Sequence, residues 1–131
     1  ILSGEGTVIA VEYNQNDRKT MEDNIFQFGL NNISIIDHVD DESMSGLPKP
    51  SLAFLVASAS MENEIQCLLR VNPHMEFIVY TLDFRCAASL PALFEQYGIG
   101  ETEVIQIQVS KLSSKNTFRT EPAPWIISGR A

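Results

Sequence analysis

The chain has 131 residues, 44% hydrophobic and 20% charged, enough for one domain with a core of its own. Lys and Arg number 9 against 17 Asp and Glu, and the net charge of −8 argues against nucleic acid as the main partner. No apolar run approaches the ~20 residues that span a bilayer, and the start, ILSGEG, lacks the basic and apolar regions of a signal peptide. The expectation is a cytoplasmic protein with no membrane contact, in which Cys67 and Cys86 are free thiols in helix-like surroundings.

Thr7–Asp17, TVIAVEYNQND, organises the rest. Val8, Ile9, Ala10 and Val11 form a continuous apolar run, as in a parallel strand covered on both faces. The run ends in one acid, Glu12. In nucleotide-binding α/β sheets an acid in that place hydrogen-bonds a ribose diol; otherwise Glu12 is a solvated acid at a strand end. Asn14 and Asn16 are turn and N-cap residues, and Asp17 suits a first helical turn. Met21, Ile25 and Phe28 then fall at i, i+4 and i+7, predicting a helix with one buried stripe that stops at Gly29. Ile33–Asp37 reads as a second short strand.

Val39–Pro50 is acidic and then punctuated by Gly and Pro, a short helical turn at most. Ser51–Ala57 is a third buried strand. Ser60 caps the next helix, with Glu62 and Glu64 near its positive end and Ile65, Leu68 and Leu69 on its inner face. Glu76–Thr81 is a fourth strand. Phe84–Tyr97 is helix-like, with Leu90, Leu93, Phe94 and Tyr97 as its stripe. Pro91 inside it predicts a kink or a restart capped by Ser89. Thr102–Ser110 alternates, as a strand with one wetter face does. Lys111–Pro124 reads as a long polar loop and Trp125–Ser128 as a last strand. Strands alternating with helices predict a parallel α/β sheet. The final two strands, joined without a helix, should be antiparallel.

Charge is uneven along the chain. Residues 37–42, DHVDDE, hold four acids, whereas the tail carries Lys111, Lys115, Arg119 and Arg130 against Glu121 alone. A basic patch on an acidic protein suggests an anionic small ligand. His38 and His74 read as surface turn histidines, and the cysteines fit no metal spacing, so no metal is expected. No catalytic triad or carboxylate pair stands out, and the catalytic residues stay unassigned.

Four segments, EGTVIAVEYN at Glu5–Asn14, FGLNNISII at Phe28–Ile36, GLPKPSLAFL at Gly46–Leu55 and PWIISGR at Pro124–Arg130, resemble the decarboxylating precorrin-6Y methyltransferases. These are the C5,15-methylating enzymes of cobalamin biosynthesis, and the resemblance is to their C15-methylating domain. It implies a class I (Rossmann-like) fold dependent on S-adenosylmethionine (SAM), mostly parallel with a C-terminal antiparallel hairpin. The family's first strand and glycine loop have no counterpart; in that fold the strand lies between Thr7–Tyr13 and Ser51–Ala57. Three explanations are open: a truncated part of a larger, possibly fused enzyme, which is favoured; direct pairing of the flanking strands into a smaller six-strand sheet; or a partner chain that supplies the missing element, or oligomerisation that covers the edges. Residues 1–131 are accordingly expected to be a single, N-terminally truncated methyltransferase-like domain.

Carried over residue by residue, the resemblance makes Glu12 the acid that holds the ribose of SAM, with Tyr13 beside it. The family's acid after the third strand aligns with Val39, and Asp40 substitutes only if the turn shifts. Ala57 and Ser58, in Ala57–Ser60, stand at the glycine-rich turn after the fourth strand, with less backbone freedom than Gly. The family's asparagine aligns with Tyr80 and its threonine with Asp83, for which capping of the next helix is favoured. The implied substrate is a tetrapyrrole, a polycarboxylate that Lys111, Lys115 and Arg119 would bind as charge-assisted partners, unless they merely solvate a loop. A homo-oligomer is also expected. The competing hypothesis is a non-catalytic fragment or assembly domain that has lost the cofactor.

Overall fold

The computed structural model describes residues 6–131, so Glu5 of the first matched segment and the rest of Ile1–Glu5 lie outside the described residues. The chain divides into two compact units, Ile1–Pro50 and Ser51–Ala131.

The first unit is a strand–helix–strand element. β1 (Val8–Val11) and β2 (Ile33–Ile36) pair in parallel with Val8 opposite Ile33, and α1 (Gln15–Gln27) connects them. Asn14 is the N-cap of α1, its Oδ1 accepting from the backbone N–H groups of Asn16 and Asp17, as a short side-chain acceptor does at the orphan donors of a first turn. Gly29 closes the helix with φ +64°, a conformation that glycine reaches without strain. The buried stripe expected on α1 is not formed: Met21 and Ile25 are half-buried and Phe28 is 73% exposed. All three instead line an open groove of about 410 Å³ with Val8, Ala10, Leu30 and Ile33. The periodicity located the apolar face correctly, but only a partial wall stands opposite it. α2 (Asp41–Met44) is the expected single turn.

The second unit holds a four-stranded sheet in the order β3-β4-β8-β5. β3 (Leu52–Val56) and β4 (Glu76–Thr81) are parallel, joined by α3 (Met61–Val71). α4 (Phe84–Gln96) leads to β5 (Gly100–Gln106). β8 (Trp125–Arg130) then runs antiparallel to both β4 and β5, as the helix-free connection requires. Among the described residues the ladder of β1 is to β2 and that of β3 is to β4. Phe77, Val79, Ile127, Ile65, Leu90 and Phe94 are fully buried on the helix-covered face. Phe77 and Phe94 meet with ring centroids 6.3 Å apart, within the range of favourable tilted pairs.

Three expectations need correction here. β3 is covered on one face only: Ala53 and Leu55 are buried, but Leu52, Phe54 and Val56 are 51%, 62% and 63% exposed, because a continuous apolar run does not by itself supply a second layer. Helix α4 runs through Pro91 without restarting, and Ser89 donates to the carbonyl of Cys86 rather than capping. Burial of Ala87, Leu90 and Phe94 on either side of the proline offsets the lost helical bond. The supposed long loop contains a hairpin, β6 (Ser110–Leu112) and β7 (Phe118–Thr120). Its turn is held by Ser113 N–H donating to the Thr117 carbonyl at 2.8 Å and by Asn116 at φ 57°, a conformation that asparagine tolerates better than most residues. Cys67 is buried and Cys86 half-buried, both free. Among the described residues no helix is long and apolar enough to cross a membrane.

Gly129 of β8 lies where α4 crosses the sheet. A Cβ built on it would stand 2.6 Å from Ile99 Cγ2 and 2.9 Å from Phe94 Cδ2. Gly129→Ala should therefore destabilise the chain by about 1–3 kcal/mol, the usual penalty for overpacking. The check is a urea unfolding curve, whose midpoint should fall with its slope unchanged.

Candidate functional site

In open parallel sheets ligands gather beyond the carboxyl ends of the strands, and each unit has one such end. In the first unit the end of β1 presents Glu12 and Tyr13. The Glu12 backbone N–H donates to the Ile36 carbonyl at 3.2 Å, which extends the β1–β2 ladder by one residue and fixes the position of the side chain. Glu12 Oε1 accepts from the Asn14 N–H at 3.0 Å, and Arg18 Nη1 donates to the Glu12 carbonyl at 3.0 Å. The residue as a whole is half-buried and borders the groove beside α1.

The end of β2 brings Asp37, His38 and Asp40 to the same place. His38 packs edge-on against the Tyr13 ring, centroids 5.3 Å apart and planes at 87°. Its Nδ1 donates to Asp37 Oδ1 at 3.2 Å, and this hydrogen bond holds the Asp37 carboxyl below its ordinary value. Asp40 is the N-cap of α2, accepting from the Ser43 N–H at 2.7 Å. That backbone bond, with a second from the Ser43 side chain, lowers the Asp40 pKa. Val39, where the resemblance puts the family's acid, is half-buried and apolar.

In the second unit the end of β3 carries Ala57 and Ser58. Ala57 N–H donates to the Tyr80 carbonyl at 2.9 Å, tying the turn to β4. Ser60 occupies the N-cap position of α3 but makes no side-chain cap bond; its hydroxyl donates to Glu64 Oε1 at 2.8 Å instead. Asp83 is the N-cap of α4, accepting from the Arg85 N–H at 2.8 Å, the capping role favoured for it over a ligand role. The cations Lys111 and Arg119 are directly opposite across the β6–β7 ladder and so share one face of the hairpin. Lys111 Nζ is 3.7 Å from Glu121, and Lys115 sits in the hairpin turn. Sequence reasoning missed His38, Asp37 and Arg18 as neighbours of Glu12 and Tyr13. Only the β1–β2 register, which aligns two segments more than twenty residues apart, could have found the first two. Among the described residues no group of three His, Cys, Asp or Glu side chains could hold a metal ion.

The donor and acceptor chemistry fits a nucleoside. A carboxylate with one oxygen engaged by the backbone keeps acceptor capacity for two hydroxyls, and an exposed tyrosine ring beside it offers a flat apolar surface. Parallel β–α–β units, with a last strand inserted antiparallel between β4 and β5, define a class I SAM-dependent methyltransferase fold. A SAM-dependent O-methyltransferase from Thermotoga maritima shares it, with a TM-score of 0.69 and 16% identity over 98% of this chain and 51% of that chain. Within the fold, the chain is similar to a precorrin-6Y C5,15-methyltransferase from Geobacter metallireducens GS-15, with a TM-score of 0.83 and 21% identity over 98% of this chain and 69% of that one. It is similar too to a precorrin 8W decarboxylase from Methanobacterium thermoautotrophicum, at a TM-score of 0.76 and 14% identity over 94% and 69% of the two chains. No protein-family model and no curated protein sequence matches the chain. Likeness at these identities establishes the fold.

The Asp40 cap sets a pH dependence. Its folded-state pKa is depressed, so the contribution to α2 is present above the ordinary carboxylate range and disappears as pH falls through the depressed value. Asp40→Asn retains a capping oxygen but cannot titrate. In an NMR titration the Ser43 amide proton should shift with an apparent pKa below the usual aspartate value in the native chain, and that step should be absent in the variant.

Proposed function

We propose that residues 1–131 act as one methyltransferase-like domain that binds SAM and methylates a tetrapyrrole carbon, with loss of a carboxyl group, in the manner of a precorrin-6Y methyltransferase. The observation that carries this proposal is the Glu12 carboxylate, held by the Asn14 N–H at the carboxyl end of β1, in a chain whose fold matches precorrin methyltransferases. Glu12 accepts from the ribose hydroxyls. Its backbone is held by Ile36 and Arg18, so the carboxylate is positioned before ligand arrives. Tyr13, braced by His38, covers the nucleoside, and Asp40 presents its remaining acceptor capacity at the rim. Ala57 and Ser58 are further cofactor contacts. SAM supplies an electrophilic methyl group. The protein's task is then to align that methyl with the accepting carbon and to exclude water, since orientation alone accounts for several kcal/mol of a barrier of this kind.

Lys111, Lys115 and Arg119 bind the carboxylates of the substrate. Their support is the common face of Lys111 and Arg119 on the β6–β7 hairpin, with Lys115 at its turn. Homo-oligomerisation belongs to the same proposal and is supported by the exposed Leu112 and Phe118, paired across the other face of that hairpin.

Titration calorimetry with S-adenosylhomocysteine tests cofactor binding. The chain should bind in the micromolar range, about −8 kcal/mol, and Glu12→Ala should weaken binding at least about tenfold through loss of hydrogen bonds to a charged acceptor. No heat up to millimolar ligand would rule out autonomous methyl transfer. For the substrate, combined Lys111→Glu, Lys115→Glu and Arg119→Glu should raise the dissociation constant of a tetrapyrrole polycarboxylate. An unchanged value would remove these residues from the substrate site.

A further inference from the structure

Phe84 and Trp125 form an aromatic pair at the surface of the second unit. Their ring centroids lie 5.7 Å apart, with the planes at 59°. Phe84, the first residue of α4, is 65% exposed, and Trp125, the first residue of β8, is half-buried. The rings that close the core are others, Phe77 and Phe94, both fully buried. Trp125 stands opposite Thr81, the last residue of β4. The pair therefore lies at the carboxyl end of that strand, the side of an α/β sheet on which ligands gather. The backbone on either side of Phe84 is fixed. The Asp83 N–H donates to Thr81 Oγ1 at 3.0 Å, and Asp83 Oδ1 accepts from the Arg85 N–H at 2.8 Å.

The same ribbon leads into the basic hairpin. The Ile107 N–H donates to the Pro124 carbonyl and the Glu121 N–H to the Val109 carbonyl, each at 3.0 Å. The β5–β8 ladder thus continues into β6–β7, and Lys111 and Arg119 stand opposite one another beyond Gln106 and Trp125. Arg85, exposed, adds a cation next to Phe84 in the chain. Of the neighbouring acids, Asp83 is engaged as the cap of α4 and Glu121 lies 3.7 Å from Lys111 Nζ. On a chain of net charge −8 most of the surface repels a polyanion, and local cations select where one binds. An aromatic surface holds flat conjugated rings by stacking and offers nothing comparable to an aliphatic acid of the same charge. Together the two features match one chemistry, a flat conjugated ring system with carboxylates on its periphery.

We propose that Phe84 and Trp125 are the stacking residues for the ring of such a polycarboxylate, with Arg85 and the hairpin cations Lys111 and Arg119 taking its carboxylates. This inference rests on the substrate class proposed above and adds the surface that receives the ring, which charge alone does not supply. In the sequence Phe84 stands at a helix start and Trp125 in a strand more than forty residues on. Only the β4–β8 register brings them together.

The test uses the 131-residue chain and two probes, a porphyrin octacarboxylate followed by its Soret absorbance and an aliphatic tricarboxylate as competitor. Trp125 is the single tryptophan of the chain, so its fluorescence should be quenched as the porphyrin binds. Phe84→Ala should raise the porphyrin dissociation constant about tenfold, the loss usual for one stacking partner. Phe84→Tyr, which keeps a ring, should bind like the native chain. Trp125→Ala should act in the same direction as Phe84→Ala; should it fail to fold, the exposed Phe84 carries the comparison alone. The tricarboxylate in excess should leave the porphyrin bound. An unchanged porphyrin affinity in Phe84→Ala, or displacement by the tricarboxylate, overturns the inference and leaves the proposed substrate class standing. A native chain that binds no porphyrin overturns the substrate class as well.

Discussion

The antiparallel insertion of β8 between β4 and β5 is the constraint on which the second unit depends. β4 and β5 both run from the same end of the sheet, and neither pairs with the other; each finds its partner in the last six-residue strand of the chain. That strand also supplies Ile127 to the core and Gly129 to the crossing of α4, where Phe94 and Ile99 occupy the space that a side chain would need. The core of Phe77, Val79, Leu90 and Phe94 therefore closes only when the most distant part of the sequence arrives. Contacts of that separation carry a loop-closure cost that local helices do not.

The first unit solves a smaller problem with fewer means. Its two strands are held by one parallel ladder, and α1 faces them across an open groove rather than a packed layer. What keeps the carboxyl end of its strands ordered is polar. Asn14 caps α1, Asp40 caps α2, Arg18 reaches back to the Glu12 carbonyl, and His38 links Asp37 to the Tyr13 ring. Such bonds are individually modest, about 0.5–1.5 kcal/mol each. Three of them meet at Glu12 and Tyr13, two of the residues that the sequence put forward for the cofactor. The candidate site and the local order thus fall on the same few side chains.

The start of α3 departs from the usual helix cap. A serine in the N-cap position would ordinarily accept from the helix backbone. Ser60 forgoes that bond and donates to Glu64, which leaves its own oxygen as the acceptor for Ser58.

Much of the architecture was legible in the sequence because it rests on local signals. The βα alternation, the caps at Asn14 and Asp83, the stop at Gly29 and the antiparallel last strand follow from periodicity, turn chemistry and connection length. The acid at Glu12 was legible too, since a single carboxylate ends an apolar run. The sequence could not determine how many layers cover an apolar segment, and so Phe28, Leu52, Phe54 and Val56 are exposed where burial was expected. Nor could it show that packing of Leu90 and Phe94 carries α4 through Pro91, or that Leu112 and Phe118 meet across a hairpin hidden in a polar stretch. The partners of the candidate site, His38 at Tyr13 and Ser60 at Glu64, were decided only by the tertiary structure, because strand register and the choice of a hydroxyl's single acceptor depend on what lies nearby in space.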